Sequence, residues 1–367
     1  MSGAKPKIKK LAEALLDWFA REARDLPWRR TRDPYAIWVS EIMLQQTQVK
    51  TVIPYWERWM RALPDLQALA RARPERLHKL WEGLGYYSRV RNLQLAARQI
   101  QERHGGKFPE DFEQVLNLSG IGRYTAGAIC SIVFQQARPI LDGNVIRVLT
   151  RVHGLAGDPK ERSLNQRLWR LAEDWVRAVV GRHGCLNESL MELGALVCLP
   201  RDPRCGDCPL HRSCVARREG RTAELPGNPK RAPATSRRFA AFVVKRNGRF
   251  LVVQRPRHVV NGSLWEFPNV ELGCPDAVAT KTIRARSSRR QDVLTAAPDD
   301  KPLCTIKHSI TRYRITLQAF EVDSTDWLPE RAGQGRWLTL AEMQKLAFTS
   351  AHRKIIGFLR SRQASRS

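Results

Sequence analysis

The sequence predicts two domains of different class. A mostly helical domain covers residues 1–216 and an α+β domain covers residues 239–367, joined by a linker over residues 217–238. Three observations carry this. Apolar residues recur at helical spacing through the first part, in runs separated by Pro or Gly. From residue 217 the texture changes: Pro226, Pro229 and Pro233 stand among seven basic and two acidic residues, with few apolar groups, as in a solvated tether. After it, β-branched and aromatic residues alternate at strand spacing. The 367 residues suffice for two cores.

Taken in order, residues 11–20 form an amphipathic helix through Leu11, Leu15, Trp18 and Phe19, broken at Leu26-Pro27-Trp28-Arg29. Residues 34–49 carry a helix opening near Ser40, which is placed to cap it. Residues 52–60, 65–70, 74–81 and 89–101 are further helices. Residues 109–116 and 126–134 are two apolar runs separated by Leu118-Ser119-Gly120-Ile121-Gly122-Arg123-Tyr124-Thr125, which reads as helix, tight hairpin, helix. Gly120 and Gly122 permit backbone angles and close approaches that a side chain would forbid. The second helix of such a pair opens with unpaired N–H groups and a partial positive charge, a seat for phosphate. Leu141-Asp142-Gly143-Asn144 then starts another amphipathic run, with Asp142 placed as an N-cap or as a working carboxylate. Helical periodicity returns over 162–194. In the second domain, residues 239–244 and 249–254 flank the turn signal Arg246-Asn247-Gly248, residues 303–306 and 313–322 are strands, and residues 339–346 and 350–359 are closing helices.

Lys and Arg number 63 against 36 Asp and Glu, a net charge of +27 spread over the whole length. A globular chain this basic points to nucleic acid, since neutralising phosphates releases counterions. No apolar run is long enough for a membrane span, and the basic first ten residues lack the apolar core of a secretory signal. Of eight cysteines, Cys198, Cys205, Cys208 and Cys214 fall within 17 residues and the others are scattered, which is not a disulfide framework. The expected location is therefore cytoplasmic and reducing, on the nucleoid if the source is bacterial, with no membrane partner. The spacing Cys-x6-Cys-x2-Cys-x5-Cys suits one tetrahedral zinc or one cubane iron–sulfur cluster, and spacing alone leaves that choice open.

Together these pieces resemble the helix-hairpin-helix DNA glycosylases with an iron–sulfur loop, the endonuclease III superfamily, and within it the MutY-type adenine DNA glycosylases. The resemblance is carried by residues 38–49 (WVSEIMLQQTQV), residues 81–89 (WEGLGYYSR), the hairpin, Leu141-Asp142-Gly143-Asn144 and the cysteine spacing. It runs continuously from about residue 10 to residue 215. It implies a [4Fe–4S] cluster on Cys198, Cys205, Cys208 and Cys214. It also implies a monomer that excises adenine mispaired with 8-oxoguanine or guanine in double-stranded DNA, flipping the base out of the stack. Relatives acting on thymine mispairs or oxidised pyrimidines, and a DNA-binding redox sensor without catalysis, are the alternatives.

By this resemblance Glu41 is the acid that protonates the departing adenine, and Asp142 is the carboxylate that stabilises the cationic sugar. The first must stay protonated and the second ionised. Tyr124 and Asn144 orient these groups or the water. Trp28, Arg29, Leu44, Glu188 and Met191 line the adenine pocket, and Gln46 and Tyr86 wedge into the duplex. Strand-cutting relatives place a lysine where this chain has Tyr124, so the resemblance implies a monofunctional enzyme.

Residues 239–359 resemble the family's Nudix-like domain through Gln254-Arg255-Pro256, residues 262–268 (GSLWEFP) and Trp337-Leu338. No Arg-Glu-x2-Glu-Glu stretch follows Pro268, so binding rather than hydrolysis is expected. Relatives read 8-oxoguanine with Phe-Ser-His or Phe-Thr-His; the aligned residues here are Ile310-Thr311-Arg312, with His308-Ser309 as the alternative register.

Overall fold

The computed structural model describes residues 5–227, 233–272, 301–310, 312–322 and 335–365. Its chain divides into two compact units. The first holds residues up to Arg71 and from Arg91 to the linker; the second holds Ala72–Val90 together with residues from Arg231 onward. The stretch Ala72–Val90, read from the sequence as part of the helical domain, packs within the second unit.

The helices in chain order are α1 (Lys5–Glu22), α2 (Pro34–Leu44), α3 (Val49–Ala62), α4 (Leu66–Arg71), α5 (Pro74–Trp81), α6 (Ser88–Arg103), α7 (Phe112–Leu116), α8 (Arg123–Ile132), α9 (Gly143–His153), α10 (Arg162–Arg177), α11 (His183–Leu196) and α12 (Val215–Arg218). A 3-10 turn, Pro27–Arg30, separates α1 from α2. No strand precedes residue 235 among the described residues. Leu11, Leu15 and Trp18 of α1 pack with Val145, Val148 and Leu149 of α9, Leu168 and Trp175 of α10, and Leu186, Leu190 and Leu193 of α11. Each such side chain contributes about 2 kcal/mol by leaving water.

One expected cap is corrected. Asp33 caps α2 by accepting from Tyr35 N–H at 3.0 Å, and Pro34 supplies the first-turn geometry. Ser40 lies inside the helix, fully buried, donating to Ile37 O at 2.7 Å. The helix thus starts six residues earlier than Ser40. Its apolar run from Tyr35 to Met43 is buried all round, which hid its start from a periodicity argument.

Helix α11 lies backbone-close to two neighbours through glycines. A Cβ on Gly184 would sit 2.6 Å from Ile132 Cα and Ser131 O of α8. A Cβ on Gly194 would sit 2.5 Å from Asn144 Cβ in α9. The first fixes α11 against the end of α8, and the second fixes it against the first turn of α9, where Asn144 stands beside the N-cap Asp142.

In the second unit, β1 (Thr235–Arg246) and β2 (Arg249–Gln254) form a hairpin whose turn residues Asn247 and Gly248 have φ of 49° and 73°. These are the positive angles that an Asn-Gly hairpin turn requires. The expected linker therefore ends sooner: its residues 235–238 are already strand. The other strands are β3 (Trp265–Glu266), β4 (Asn269–Leu272), β5 (Cys304–Ile310), β6 (Tyr313–Val322) and β7 (Arg336–Leu338). The sheet is mixed, in the order β3-β2-β1-β6-β5, with β4 also on β1 and β7 on β2; β1 and β6 run parallel. Helices α13 (Leu340–Met343) and α14 (Ser350–Ala364) complete the unit, and α14 buries Ile355, Ile356 and Leu359 on the sheet.

Gly194→Ala forces α11 away from Asn144 with no flexible tip to yield. It should lower the thermal unfolding midpoint, by the equivalent of about 1–3 kcal/mol. Gly122→Ala, with no atom within 4 Å of the added Cβ, should leave the midpoint nearly unchanged.

Candidate active site

Glu41 projects from α2 and is 5% exposed. Its Oε2 accepts from the Tyr124 hydroxyl at 3.0 Å, and that hydroxyl also lies 3.1 Å from Met191 Sδ. Burial pushes the Glu41 carboxyl up to about 7. The Tyr124 bond opposes the rise, Glu188 and Asp142 add to it, and Arg29 opposes it. Tyr124 is itself held well above its ordinary value by burial and by the nearby carboxylates, so it stays a neutral donor.

Asp142 is the N-cap of α9, accepting from Val145 N–H at 2.7 Å and from Asn144 Nδ2 at 3.0 Å. Capping thus aims and anchors the Asp142 carboxylate. Burial raises its pKa, while its bonds to Val145 and Asn144 and the charge of Arg147 oppose the rise. The carboxyls of Glu41 and Asp142 are therefore not driven in opposite directions, as their expected roles suggested. Burial raises both, and they differ in what opposes it: one phenol bond and the charge of Arg29 at Glu41, several hydrogen bonds and the charge of Arg147 at Asp142.

Asn144 is in turn held by Arg147, whose Nη2 donates to Asn144 Oδ1 and Gly194 O, each at 2.8 Å, and whose Nε donates to Cys198 O at 2.6 Å. Arg147 was not singled out in the sequence. Its only signal is its place one helical turn beyond Asn144.

On α11, Glu188 accepts from Arg29 Nε at 3.1 Å. One turn on, Glu192 accepts from Arg29 Nη2 at 3.0 Å and from Arg24 through its backbone N–H, Nε and Nη2 at 2.7–2.9 Å. Burial works to raise the Glu192 carboxyl, but Arg24 and Arg29 outweigh it and bring it down to about 2. Glu188, with one such bond, is raised by burial. Arg24 and Glu192 were also missed; the i,i+4 spacing of the two glutamates was the available sign. Trp28 is buried with its ring edge on Trp56 at 6.1 Å, and Leu44 and Met191 are half-buried.

The hairpin before α8 divides the two glycines. Gly120 has φ +78° and backs onto Asn92, where a Cβ would meet Asn92 Cβ at 2.5 Å. Gly122 does not need glycine's freedom: it is the N-cap of α8 at φ −102°, with open space where a Cβ would stand. It has no capping side chain, so the first N–H groups of α8 have no side-chain acceptor from it. Gln46 and Tyr86 are exposed, and both have positive φ, 55° and 46°. Non-glycine residues hold that conformation at a cost of about 1–3 kcal/mol, which the surroundings must offset.

Cys198, Cys205, Cys208 and Cys214 line one cavity with Arg151 and His211. Arg151 Nη1 donates to Cys198 Sγ at 3.4 Å and to Leu199 O at 2.6 Å, while Nη2 holds Pro200 O and Nε holds Leu225 O. Among the described residues no three His, Cys, Asp or Glu are arranged to hold a single metal ion. Burial pushes the Cys208 thiol up to about 12, so thiolates here need a cation to share their charge. The convergence of four thiols and a basic side chain on one cavity fits a metal–sulfur group.

In the second unit, Ile310 pairs with Tyr313, so His308 and Ser309 are inside β5 and Arg312 lies at the hairpin tip. Arg312 is exposed and donates to Tyr313 Oη at 3.2 Å. Thr311 lies outside the described residues.

Residues 39–174 match the HhH-GPD superfamily of base excision DNA repair proteins, and residues 240–357 match the NUDIX domain. The adenine DNA glycosylase of Rattus norvegicus is 37% identical over 93% of this chain and 76% of its own length. That of Homo sapiens is 35% identical over 95% and 74%. The chain belongs to the adenine DNA glycosylase family. The relative from Buchnera aphidicola subsp. Schizaphis graminum is 36% identical over 71% of the chain and 75% of its own length. Among solved structures, a thermostable thymine-DNA glycosylase superposes on 59% of the chain at TM-score 0.54 and 29% identity. An endonuclease III in a non-covalent DNA complex covers the same share at TM-score 0.50 and 18% identity, which shows the fold. The chain is thus a DNA N-glycosylase built from a helix-hairpin-helix domain and a Nudix-like one. No helix among the described residues is long and apolar enough to cross a membrane.

An unfolded glutamate ionises near 4.5, whereas Glu41 in the fold ionises near 7. The folded chain therefore holds the extra proton between these values. The stability linked to it is full below about pH 4.5 and is lost as pH rises through about 7, in all roughly 3 kcal/mol. Glu41→Gln should match the wild type in unfolding midpoint at about pH 5 and exceed it at about pH 8.

Proposed function

We propose that this enzyme removes adenine mispaired with 8-oxoguanine or guanine in double-stranded DNA, acting as a monofunctional monomer in base excision repair. The observation that carries the reading is Glu41, buried and titrating near 7 with the Tyr124 hydroxyl on its Oε2. A carboxyl half-protonated at neutral pH can give its proton to the adenine ring, and so turns a poor anionic leaving group into a neutral one. The N-glycosidic bond then breaks with its electron pair leaving on the base. The sugar cation is faced by Asp142, fixed by Val145 N–H and Asn144. Glu41, now a carboxylate, accepts a proton from the incoming water. Arg29 and Glu188, backed by Arg24 and Glu192, with Trp28, Leu44 and Met191, form the wall for the flipped base.

No lysine stands near Tyr124 in the second hairpin helix, and a Schiff base needs an amine, so the product is an abasic site. Gly120 shapes the turn and Gly122 leaves the start of α8 open for a backbone phosphate. Gln46 and Tyr86 wedge into the duplex. Cys198, Cys205, Cys208 and Cys214 hold a [4Fe–4S] cluster, which cross-links the loop between Cys198 and Cys214. The Nudix-like domain binds the opposite strand without hydrolysis, with Arg312 on a guanine edge or a phosphate.

Duplexes carrying A opposite 8-oxoguanine, A opposite G, T opposite G, or thymine glycol should be incubated with the protein and then heated in alkali. Breaks at adenine that appear only after alkali are expected, with no product trapped by borohydride. Breaks at T opposite G, or efficient trapping, would overturn the reading. With saturating enzyme, the excision rate should fall about tenfold per pH unit above about pH 7 as Glu41 ionises.

A further inference from the structure

The turn that carries Tyr86 is held from inside the second unit. Trp81 Nε1 donates to Gly85 O at 3.0 Å. The buried Arg89 guanidinium donates to Leu84 O at 3.0 Å and to Gly85 O at 3.2 Å, and lies over the Trp81 and Tyr86 rings. Gly83, Gly85 and Tyr86 all have positive φ, so the turn is tightly shaped, with Tyr86 47% exposed at its tip. At the base of this turn stands Glu82, 8% exposed. Its Oε1 accepts from the backbone N–H of Phe348 at 2.9 Å, and its Oε2 accepts from Lys79 Nζ at 2.7 Å. Lys79 Nζ also donates to Leu346 O at 3.1 Å, and Arg353 Nη1 lies 3.6 Å from Glu82 Oε2.

The segment that Glu82 grips is itself fixed to the sheet. Trp265 N–H of β3 donates to Ala347 O at 2.9 Å, and Thr349 N–H donates to Trp265 O at 3.1 Å. Phe348, 1% exposed, is part of the strand domain's core. One buried carboxylate therefore joins the Tyr86 turn to an edge strand of the Nudix-like fold. A buried charge is tolerated only when its acceptor sites are filled, and here backbone N–H and ammonium fill them.

We propose that Glu82 is a positioning residue that locks the Tyr86 turn to the Nudix-like domain, so that the wedge and the domain facing the opposite strand engage the duplex as one body. This rests on the reading of Tyr86 as a wedge. The expected effect is on binding of the mispaired duplex, not on bond cleavage, because Glu82 belongs to neither the acid nor the sugar-facing group.

The test uses the full-length holoenzyme and a duplex with A opposite 8-oxoguanine. Glu82→Ala should weaken binding about tenfold, while the single-turnover excision rate at saturating enzyme stays within about twofold. Glu82→Gln keeps an acceptor for Phe348 N–H and should recover most of the affinity. In a Tyr86→Ala background, Glu82→Ala should add little further loss. An equal loss with and without Tyr86 would overturn the proposal, as would a large drop in the excision rate. Amide hydrogen exchange reads the lock itself: Glu82→Ala should speed exchange at residues 84–87 and at Phe348, and unchanged exchange there would overturn the lock. If Tyr86→Ala alone binds as tightly as the wild type, the wedge reading fails, and the exchange result decides the lock on its own.

Discussion

The bond from the Tyr124 hydroxyl to Glu41 is the interaction on which the site depends. It is one neutral donor on a carboxyl that burial has stripped of water. Glu192, by contrast, is held ionised by the cationic guanidiniums of Arg24 and Arg29. A single phenol leaves it near neutrality, where a proton can be both kept and given. The position of Tyr124 in the first turn of α8 thus joins two tasks. The helix whose start has no side-chain cap also carries the hydroxyl that bonds Glu41.

Everything around that bond serves to keep it dry and aligned. α2 is buried from Tyr35 to Met43, and Glu41 within it is only 5% exposed. α11 reaches α8 and α9 through Gly184 and Gly194, with backbone approaches that no larger residue permits. Arg147 then closes a chain from Asn144 through Gly194 O to Cys198 O. The cysteine loop is therefore mechanically continuous with the residue that orients Asp142. Conformational freedom at the site is removed by packing and by buried charge, which is costly to leave unpaired.

Much of this was legible in the sequence, for identifiable reasons. The hairpin, the cysteine spacing and the Asn247-Gly248 turn are local signals, readable within a few residues. Glu41 and Asp142 were readable only through long motif resemblance, because a glutamate in an apolar helix and an aspartate at a helix start carry no mark of chemistry by themselves. The start of α2 was misplaced because a helix buried all round has no polar face to mark its phase. Arg24, Glu192 and Arg147 were missed because they act across 168, 163 and 51 residues of chain separation, on Glu192 from Arg24 and Arg29 and on Cys198 from Arg147. The packing of Ala72–Val90 with the strand domain was invisible for the same reason, since Glu82 and Phe348 are 266 residues apart.

The central claim is that Glu41 is protonated in the folded protein near neutral pH, and infrared difference spectroscopy reads it most directly. Spectra of the wild type minus Glu41→Gln should show the carbonyl band of a protonated carboxylic acid at about pH 5, lost with a midpoint near 7 as the carboxylate bands appear. A Glu41 carboxylate already fully ionised at about pH 5 would contradict the account.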